Sequence, residues 1–433
     1  MAFNEEQFKE ILSEFTIDKE RLQTIAASFR QDLQIGLRDV SQSSMRMLKS
    51  YVGLPSGKET GEYLALDFGG TNIRVFRIRL DGDGKYEILK RVGRPLIVPG
   101  EYDYICKDAT AEQMFDFIAE LIDEAIDGNH EQKFYLGHTF SFPSTQDNLY
   151  NARLIIWTKE FATQGVEGEI ANDLLVAALK RRGVNNVEPV AVLNDTVAVL
   201  LSAAYKTPDT FIGSIYATGH NTCYLEPSIH DPNCFGSGGM ILNLECGNFM
   251  KLMPNRFDKE YDEGSEKPGE QRFEKMVSGR YMGELLGMAI AELLNEKGKK
   301  YGLTSVDMSM MILDESENLQ RATDILMAKV GRELDLEDVK KVRELVKAII
   351  IRSARLVASS FVAIVWQRAG KGKIQRQHVA GDGSVYEKMP LAKENIIKAM
   401  GELLEDDAAQ VDTILDNGGS GLGAAIAAAM AVK

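Results

Sequence analysis

Apolar residues recur at helical spacing over residues 3–38, at Phe8, Ile11, Leu12 and Phe15 and then at Leu22, Ile25, Phe29 and Leu33. This spacing predicts an N-terminal helical segment that packs on something later in the chain. The pattern then changes period. Leu64 to Leu80 reads as a strand, a turn around Gly69 and Gly70, and a second strand, with the next turn at residues 81–84. Thr110 is placed to cap a helix whose Met114, Phe115, Ile118, Leu121, Ile122 and Ile126 form one stripe, closed near Gly128. A strand over 133–142 follows, then a helix from about 170 to 182 ending at Gly183. Strand 190–193 delivers Asn194 and Asp195 directly onto a helix over 196–205. Strands alternating with helices predict α/β layers.

The turn inside the first hairpin carries chemistry. Gly69 and Gly70 allow the backbone to come close to a ligand, Thr71 supplies donors, and Asp67 ends the first strand where it can orient the waters around a magnesium ion. The same residues also suit an ordinary hairpin. Residues 211–226 partly repeat the pattern, with Thr218, Gly219 and Thr222 in the loop, so a duplicated architecture competes with a chance likeness of two hairpins. Residues 416–425 form a third glycine-rich stretch, read as a turn opening onto an alanine-rich helix over 426–432. Such a helix start favours an anion or the polar edge of a nucleotide, unless it is only a flexible turn. Neither a G-x-x-x-x-G-K-[ST] nor a G-x-G-x-x-G after the first strand is present, which argues against a P-loop or a Rossmann dinucleotide site.

Composition narrows the partners. The 433 residues suggest two or three domains, and a formal net charge of −14 sets the chain against nucleic acid and anionic membranes. No stretch reads as the roughly 18 apolar residues of a membrane span. The acidic start lacks the pattern of a secretory leader. Cys106, Cys223, Cys234 and Cys246 show no C-x-x-C pairing, which points to reduced thiols in a cytosolic protein without structural zinc. His138 and His220 read as structural.

Several polar residues sit where ligands bind in α/β sheets. Asn194 and Asp195 lie at a strand-to-helix junction, where Asp195 is either a general base or a helix N-cap. The helix start also favours the ionised carboxylate, which weakens it as a base. Lys159 follows the apolar run 154–156 and Trp157 as a point charge suited to phosphate, or as a solvated strand end. Glu245 ends an apolar strand, and Glu274 starts a helix drawn through Met276 and Tyr281. With Asn194 and Asn221, these two acids supply what polyol recognition needs.

Taken in order, the stretches 66–72, 139–143, 157–159, 194–196, 218–221, 244–247, 268–275, 278–285, 381–384 and 419–421 resemble the signatures of the hexokinase family. The resemblance runs from about Thr16 to the C-terminus and is to the eukaryotic-type single-unit enzymes. It implies an α/β chain of two actin-like (ribonuclease H-like) domains flanking a deep cleft. The small domain would span 62–195 with the C-terminal helix 421–433, and the large domain 1–61 and 196–420. The implied activity is ATP-dependent phosphorylation of glucose and related hexoses at the 6-hydroxyl, the first step of glycolysis. By similarity, Ser141, Thr158, Lys159, Asn194, Asp195, Asn221, Glu245 and Glu274 bind the hexose, and Asp195 takes the proton of the attacking hydroxyl. Asp67, Gly69, Gly70, Thr71, Thr218 and Gly219 hold the ATP phosphates with their magnesium. Arg74 and Lys159 stabilise the transferred charge, and Gly419 and Ser420 face the adenosine. Metal is then carried by ATP, with Asp67 acting through water. Cytoplasmic location, a monomer or homodimer, and no nucleic-acid or membrane partner complete the expectation.

Three positions depart from the family pattern: Glu160 replaces a glycine, Lys49 a frequent proline, and Gly418 the acid before the glycine-serine pair. Two other readings compete. An actin-like ATPase would share the hairpins without needing Asn194, Asp195, Glu245 and Glu274 together, and an idle glucose sensor would bind sugar without turnover.

Overall fold

The computed structural model describes residues 3–70, 72–158 and 160–432. It divides into two compact units, one made of Met1–Met47, Ile215–Thr222 and Leu244–Leu415, the other of Leu48–Ser214, Cys223–Asn243 and Asp416–Lys433.

The chain opens in the first unit with α1 (Glu5–Glu14) and α2 (Lys19–Arg38). Asn4 caps α1 by accepting the Glu6 and Gln7 N–H groups, and Asp18 caps α2 by accepting that of Arg21. Phe8, Ile11, Phe15, Leu22, Ile25, Phe29 and Leu33 are all buried, as the spacing predicts.

The second unit is built on a five-stranded sheet. Its first three strands, β1 (Thr60–Phe68), β2 (Asn72–Gly82) and β3 (Lys85–Pro95), form an antiparallel meander. Helix α3 (Ala111–Ala125) leads to β4 (Phe134–Phe140), and α4 (Ala171–Arg182) leads to β5 (Val187–Leu193) and α5 (Asp195–Lys206). The sheet order is β5-β4-β1-β2-β3, with β5, β4 and β1 parallel. Parallel neighbours need long crossovers, and α3 and α4 lie in the segments that make them. Thr110 and Gln113 form a reciprocal capping box on α3. Alternation along β1 divides the core, because successive side chains point to opposite faces. Leu64, Leu66 and Phe68 pack with α3 and α4, whereas Tyr63 and Ala65 pack with α5 and the C-terminal helix.

Strands β6 (Thr210–Tyr216) and β7 (His220–Glu226) follow, then β8 (Met240–Asn243), whose residues pair antiparallel with Cys223–Glu226. The first unit continues with α6 (Arg256–Glu263), α7 (Arg272–Val277), α8 (Gly279–Leu293), the 34-residue α9 (Leu336–Ala369) and the parallel pair β9 (Gln377–Asp382) and β10 (Val411–Leu415). Helix α9 is long and apolar enough to pass a membrane-span test on length and composition, contrary to the sequence expectation. Its apolar window is nevertheless 83% buried inside the protein, as the central helix of a core. The chain ends in the second unit with α10 (Gly419–Ala431).

Three local expectations need correction. Helix α10 starts seven residues before the alanine-rich run, so Gly419, Gly421 and Gly423 are helical rather than a flexible turn. Close packing explains the glycines: a Cβ on Gly421 would stand 2.9 Å from the Phe76 ring, and one on Gly423 would collide with the Ala198 backbone of α5. Residues 154–156 are not a buried strand. Only Arg153–Leu154 pairs, and Ile155 and Ile156 are 51% and 53% exposed. Finally, the helix drawn through Glu274 and Tyr281 breaks at Ser278, placing Glu274 on α7 and Tyr281 on α8.

Candidate active site

The predicted residues fall into two clusters, one in each unit. In the second unit the cluster starts from strand register. Asp67 lies directly opposite Arg74 in the antiparallel β1–β2 pair and beside Thr139 in the parallel β1–β4 pair. Opposed residues bring their side chains within reach. The Arg74 guanidinium donates to Asp67 Oδ2 at 3.2 Å, and Thr139 Oγ1 donates to Asp67 Oδ1 at 3.1 Å. Burial lifts the Asp67 carboxyl above its ordinary value and the nearby Asp195 charge adds to this, while Arg74 and Thr139 pull it back down. Gly69 and Gly70 form the turn between the strands, both half-buried.

For the ATP-dependent activity that the resemblance implies, Arg74→Met is therefore expected to move the acid limb of the pH dependence of kcat/KM for ATP to higher pH. The substitution removes the charge that favours the Asp67 carboxylate, so Asp67 protonates earlier as pH falls. A profile taken between about pH 5 and 9 checks this; a limb that stays in place or moves to lower pH contradicts it.

Asn194 and Asp195 occupy the β5–α5 junction, and the structure separates their roles. Asn194 is the N-cap, its Oδ1 accepting the Thr196 N–H at 3.0 Å and the Thr196 hydroxyl at 2.6 Å. Asp195 is the first helical residue, with Oδ1 accepting the same N–H at 2.8 Å, and its own N–H donates to Ser141 Oγ at 3.2 Å. The cap reading thus belongs to Asn194, which leaves Asp195 at the positive end of the helix dipole as a carboxylate available for chemistry.

Thr158 follows Trp157, whose ring is buried among Phe68, Phe140, Phe142 and Phe161 with centroids 4.7 to 6.4 Å away. The Trp157 indole N–H donates to the Thr163 carbonyl at 2.9 Å, which fixes the ring. This aromatic cluster ties the end of β1 to the Thr158 segment. Glu160 has φ of +69° in the left-handed region, where glycine is at ease and other residues are strained by about 1–2 kcal/mol. Glu160→Gly should stabilise the fold by about 1 kcal/mol, after discounting the greater freedom of glycine in the unfolded chain. Thermal melting tests it, and a lower melting temperature would contradict the account.

In the first unit, the loop Ala217–Gly219 between β6 and β7 closes with the Ala217 N–H on the Gly219 carbonyl at 2.9 Å. Helix α8 fastens it: the Gly279 and Arg280 N–H groups donate to the Ala217 and Thr218 carbonyls at 2.9 and 3.1 Å. Gly219 lies close against Glu274, since a Cβ there would stand 3.0 Å from Glu274 Oε2. Glu274 also accepts the His220 N–H at 3.1 Å. Asn221 Nδ2 donates to Glu245 Oε1 at 3.3 Å, and Asn221 Oδ1 accepts the Cys246 N–H at 3.3 Å. Glu245 and Gln271 both carry positive φ, +50° and +53°. Residues held in this region cluster at functional sites. Burial foremost, with the Glu245 and Glu274 charges adding to it, pushes the Cys246 thiol up to about 12, so it stays protonated and unreactive. His220 is brought down to about 4 and His138 to about 3 by burial, so both are neutral near pH 7, in keeping with structural roles.

Gly419 and Ser420 form the first turn of α10, after Gly418 at φ +76°. Thr71 and Lys159 lie outside the described residues. Among the predicted site residues that are described, Asp67, Gly69, Gly70, Arg74, Ser141, Thr158, Asn194, Asp195, Gly419 and Ser420 belong to the second unit, and Thr218, Gly219, Asn221, Glu245 and Glu274 to the first. Thr139, Cys246 and Gln271 join these clusters; all three lie in the family-like stretches 139–143, 244–247 and 268–275, but none was expected to line the site, and Thr139 owes its place there to strand register. Among the described residues no group of three or more His, Cys, Asp or Glu side chains is placed to hold a metal ion. Both Asp67 oxygens already accept hydrogen bonds, so this carboxylate suits a hydrated ion reached through water better than direct ligation.

Comparison with known proteins matches two family models, both described as Hexokinase, to residues 7–205 and 211–430. The chain is 34% identical to Hexokinase-1 of Schizosaccharomyces pombe over 99% of its own length and 91% of that protein. It is 34% identical to Hexokinase-2 of Rattus norvegicus over 98% of its length, spanning about half (48%) of that longer protein. Among solved structures, the hexokinase of Schistosoma mansoni complexed with glucose superposes with a TM-score of 0.81 at 30% identity, covering 98% of this chain and 99% of that one.

Proposed function

This chain belongs to the hexokinase family as an ATP-dependent sugar kinase with an α/β, two-domain actin-like fold, and we propose that it phosphorylates glucose and related hexoses at the 6-hydroxyl. In this reading it performs the first step of glycolysis in the cytosol, a setting that accords with cysteines joined by no disulfide to one another. The carrying observation is strand register: Leu193, two residues before Asp195, pairs with Thr139, and Thr139 pairs with Asp67 and donates its hydroxyl to it, while the Asp195 N–H donates to Ser141 just beyond the same strand. A base for the attacking hydroxyl and a grip for the phosphates therefore lie at the same end of one sheet.

Asp195 accepts the proton of the 6-hydroxyl as that oxygen bonds to the γ-phosphorus and the bond to the β-phosphate oxygen breaks, leaving ADP. Asp195 sits at the N-terminal end of its helix, and its carboxylate takes the proton as the hydroxyl oxygen bonds to phosphorus. Ser141, Thr158 and the Asn194 amide offer donors to sugar oxygens, and Glu245 and Glu274 accept sugar hydroxyl protons beside the Asn221 amide. Arg74 balances the charge of the transferred group, and the Gly69–Gly70 turn and the Thr218–Gly219 loop bring backbone donors to the phosphates. Magnesium bound with ATP neutralises phosphate charge, and Asp67 fits its water shell.

A coupled assay with ATP, magnesium and separately glucose, fructose, mannose and glucosamine tests the proposal. Sugar-dependent ADP formation supports it. ADP formation that is the same without sugar points to an ATPase, and sugar binding without turnover to a sensor.

A further inference from the structure

One buried charge lies outside the machinery described so far. Asp416 is 1% exposed and pairs through Oδ1 with the Lys206 ammonium at the C-terminal end of α5. Its Oδ2 has no hydrogen-bond partner among the described residues. That oxygen faces Gly419: a Cβ on Gly419 would collide with it and lie 3.3 Å from Ser202 Cβ. Ser202, fully buried one turn before Lys206, likewise carries an unpartnered hydroxyl. Two buried polar side chains of the second unit thus converge on the first turn of α10. A buried carboxylate persists only with its partner cation, so the pair fixes where the turn sits. The acid that the family pattern places at residue 418 is absent, Gly418 standing there with φ +76°, and the nearest upstream carboxylate is Asp416. Helix α5 begins with Asp195 and ends at Lys206, so one rigid element carries the base and anchors this turn.

We propose that Lys206 and Asp416 are positioning residues for ATP, their buried ion pair holding the 416–418 turn so that Gly419 and Ser420 meet the nucleotide. The inference rests on the reading that these two residues face the adenosine. The test combines three variants with steady-state kinetics and thermal melting. Lys206→Met/Asp416→Asn removes both charges at nearly constant volume, and is expected to raise KM for ATP about tenfold while kcat and KM for glucose stay within about twofold. Lys206→Arg, which keeps the pair, should behave as wild type. Ser420→Leu checks the underlying reading, since it crowds the proposed adenosine contact without touching the pair. A folded double variant with an unchanged KM for ATP overturns the proposal, and if Ser420→Leu raises that KM in the same series, the adenosine reading survives alone. An unchanged KM for ATP in Ser420→Leu overturns the reading itself. Should the double variant fail to fold, Lys206→Gln at the 29% exposed end of the pair carries the same expectation and the same refutation.

Discussion

Asp195→Ala is expected to lower kcat by about two to four orders of magnitude while glucose binding persists, the range for losing a positioned general base. In barrier terms this is about 3–5 kcal/mol. The variant should fold, because Asn194 and not Asp195 caps α5, its Oδ1 accepting the Thr196 N–H and hydroxyl. Removing Asp195 forfeits one short contact to that same N–H, at 2.8 Å, and a favourable charge at the helix start. Sugar contacts by Ser141, Thr158 and Asn194 in the second unit, and by Asn221, Glu245 and Glu274 in the first, are untouched in the proposal. Binding is read independently of turnover from the fluorescence of Trp157, which is buried next to Thr158. Wild-type turnover in the variant would remove Asp195 from the mechanism, and complete loss of glucose binding would recast it as a sugar ligand alone.

Arg352→Met is expected to destabilise the first unit by about 3–5 kcal/mol, the cost of stranding a buried charge. The Arg352 guanidinium on α9 meets Asp258 on α6 through two hydrogen bonds of 2.8 and 2.9 Å, with both side chains only 4% exposed. Asp258 Oδ2 also accepts the Asn255 N–H at 2.8 Å in the capping box of α6, so the pair anchors that helix to the core. The effect reaches the site. Asp262, one turn along α6, accepts the Gly269 N–H at 3.1 Å, Arg272 Nε at 3.2 Å and Lys275 Nζ at 2.5 Å, and so holds the segment bearing Glu274. A loosened α6 should therefore raise KM for sugar as well as lower the urea midpoint. Neutralising the partner as well, in Arg352→Met/Asp258→Asn, should recover most of the stability, because no charge is then left unpaired. A double variant no more stable than the single one would contradict this.

The elements that were legible in the sequence are those specified within a few residues. The helix from Ala111 declares itself by its stripe and by Thr110, and the first hairpin by two apolar runs about Gly69 and Gly70. Asn194 and Asp195 were visible at their junction, but which one caps and which one faces a ligand depends on side-chain direction and not on spacing. Other features depend on distant partners. The glycines of α10 look like a turn until Phe76 and Ala198 are seen to require them. The run 154–156 reads as a buried strand because two isoleucines precede Trp157, yet only its first residue has a strand partner, and the tryptophan takes the core position instead. Thr139 opens the family-like stretch 139–143, but its contact with Asp67 comes from register across a parallel pair, which no local pattern encodes. The positive φ of Glu245 and Gln271 is likewise imposed by surroundings that a one-dimensional reading does not contain.

The central claim is that this chain moves a phosphoryl group from ATP to the 6-hydroxyl of a hexose with Asp195 as base. Phosphorus NMR of glucose incubated with ATP, magnesium and the wild-type chain, run beside Asp195→Ala, tests it most directly. The account predicts ADP and a phosphate ester at carbon 6 appearing in equal amounts, with both nearly abolished in the variant. Inorganic phosphate in place of the ester, or an ester formed equally well without Asp195, would contradict it.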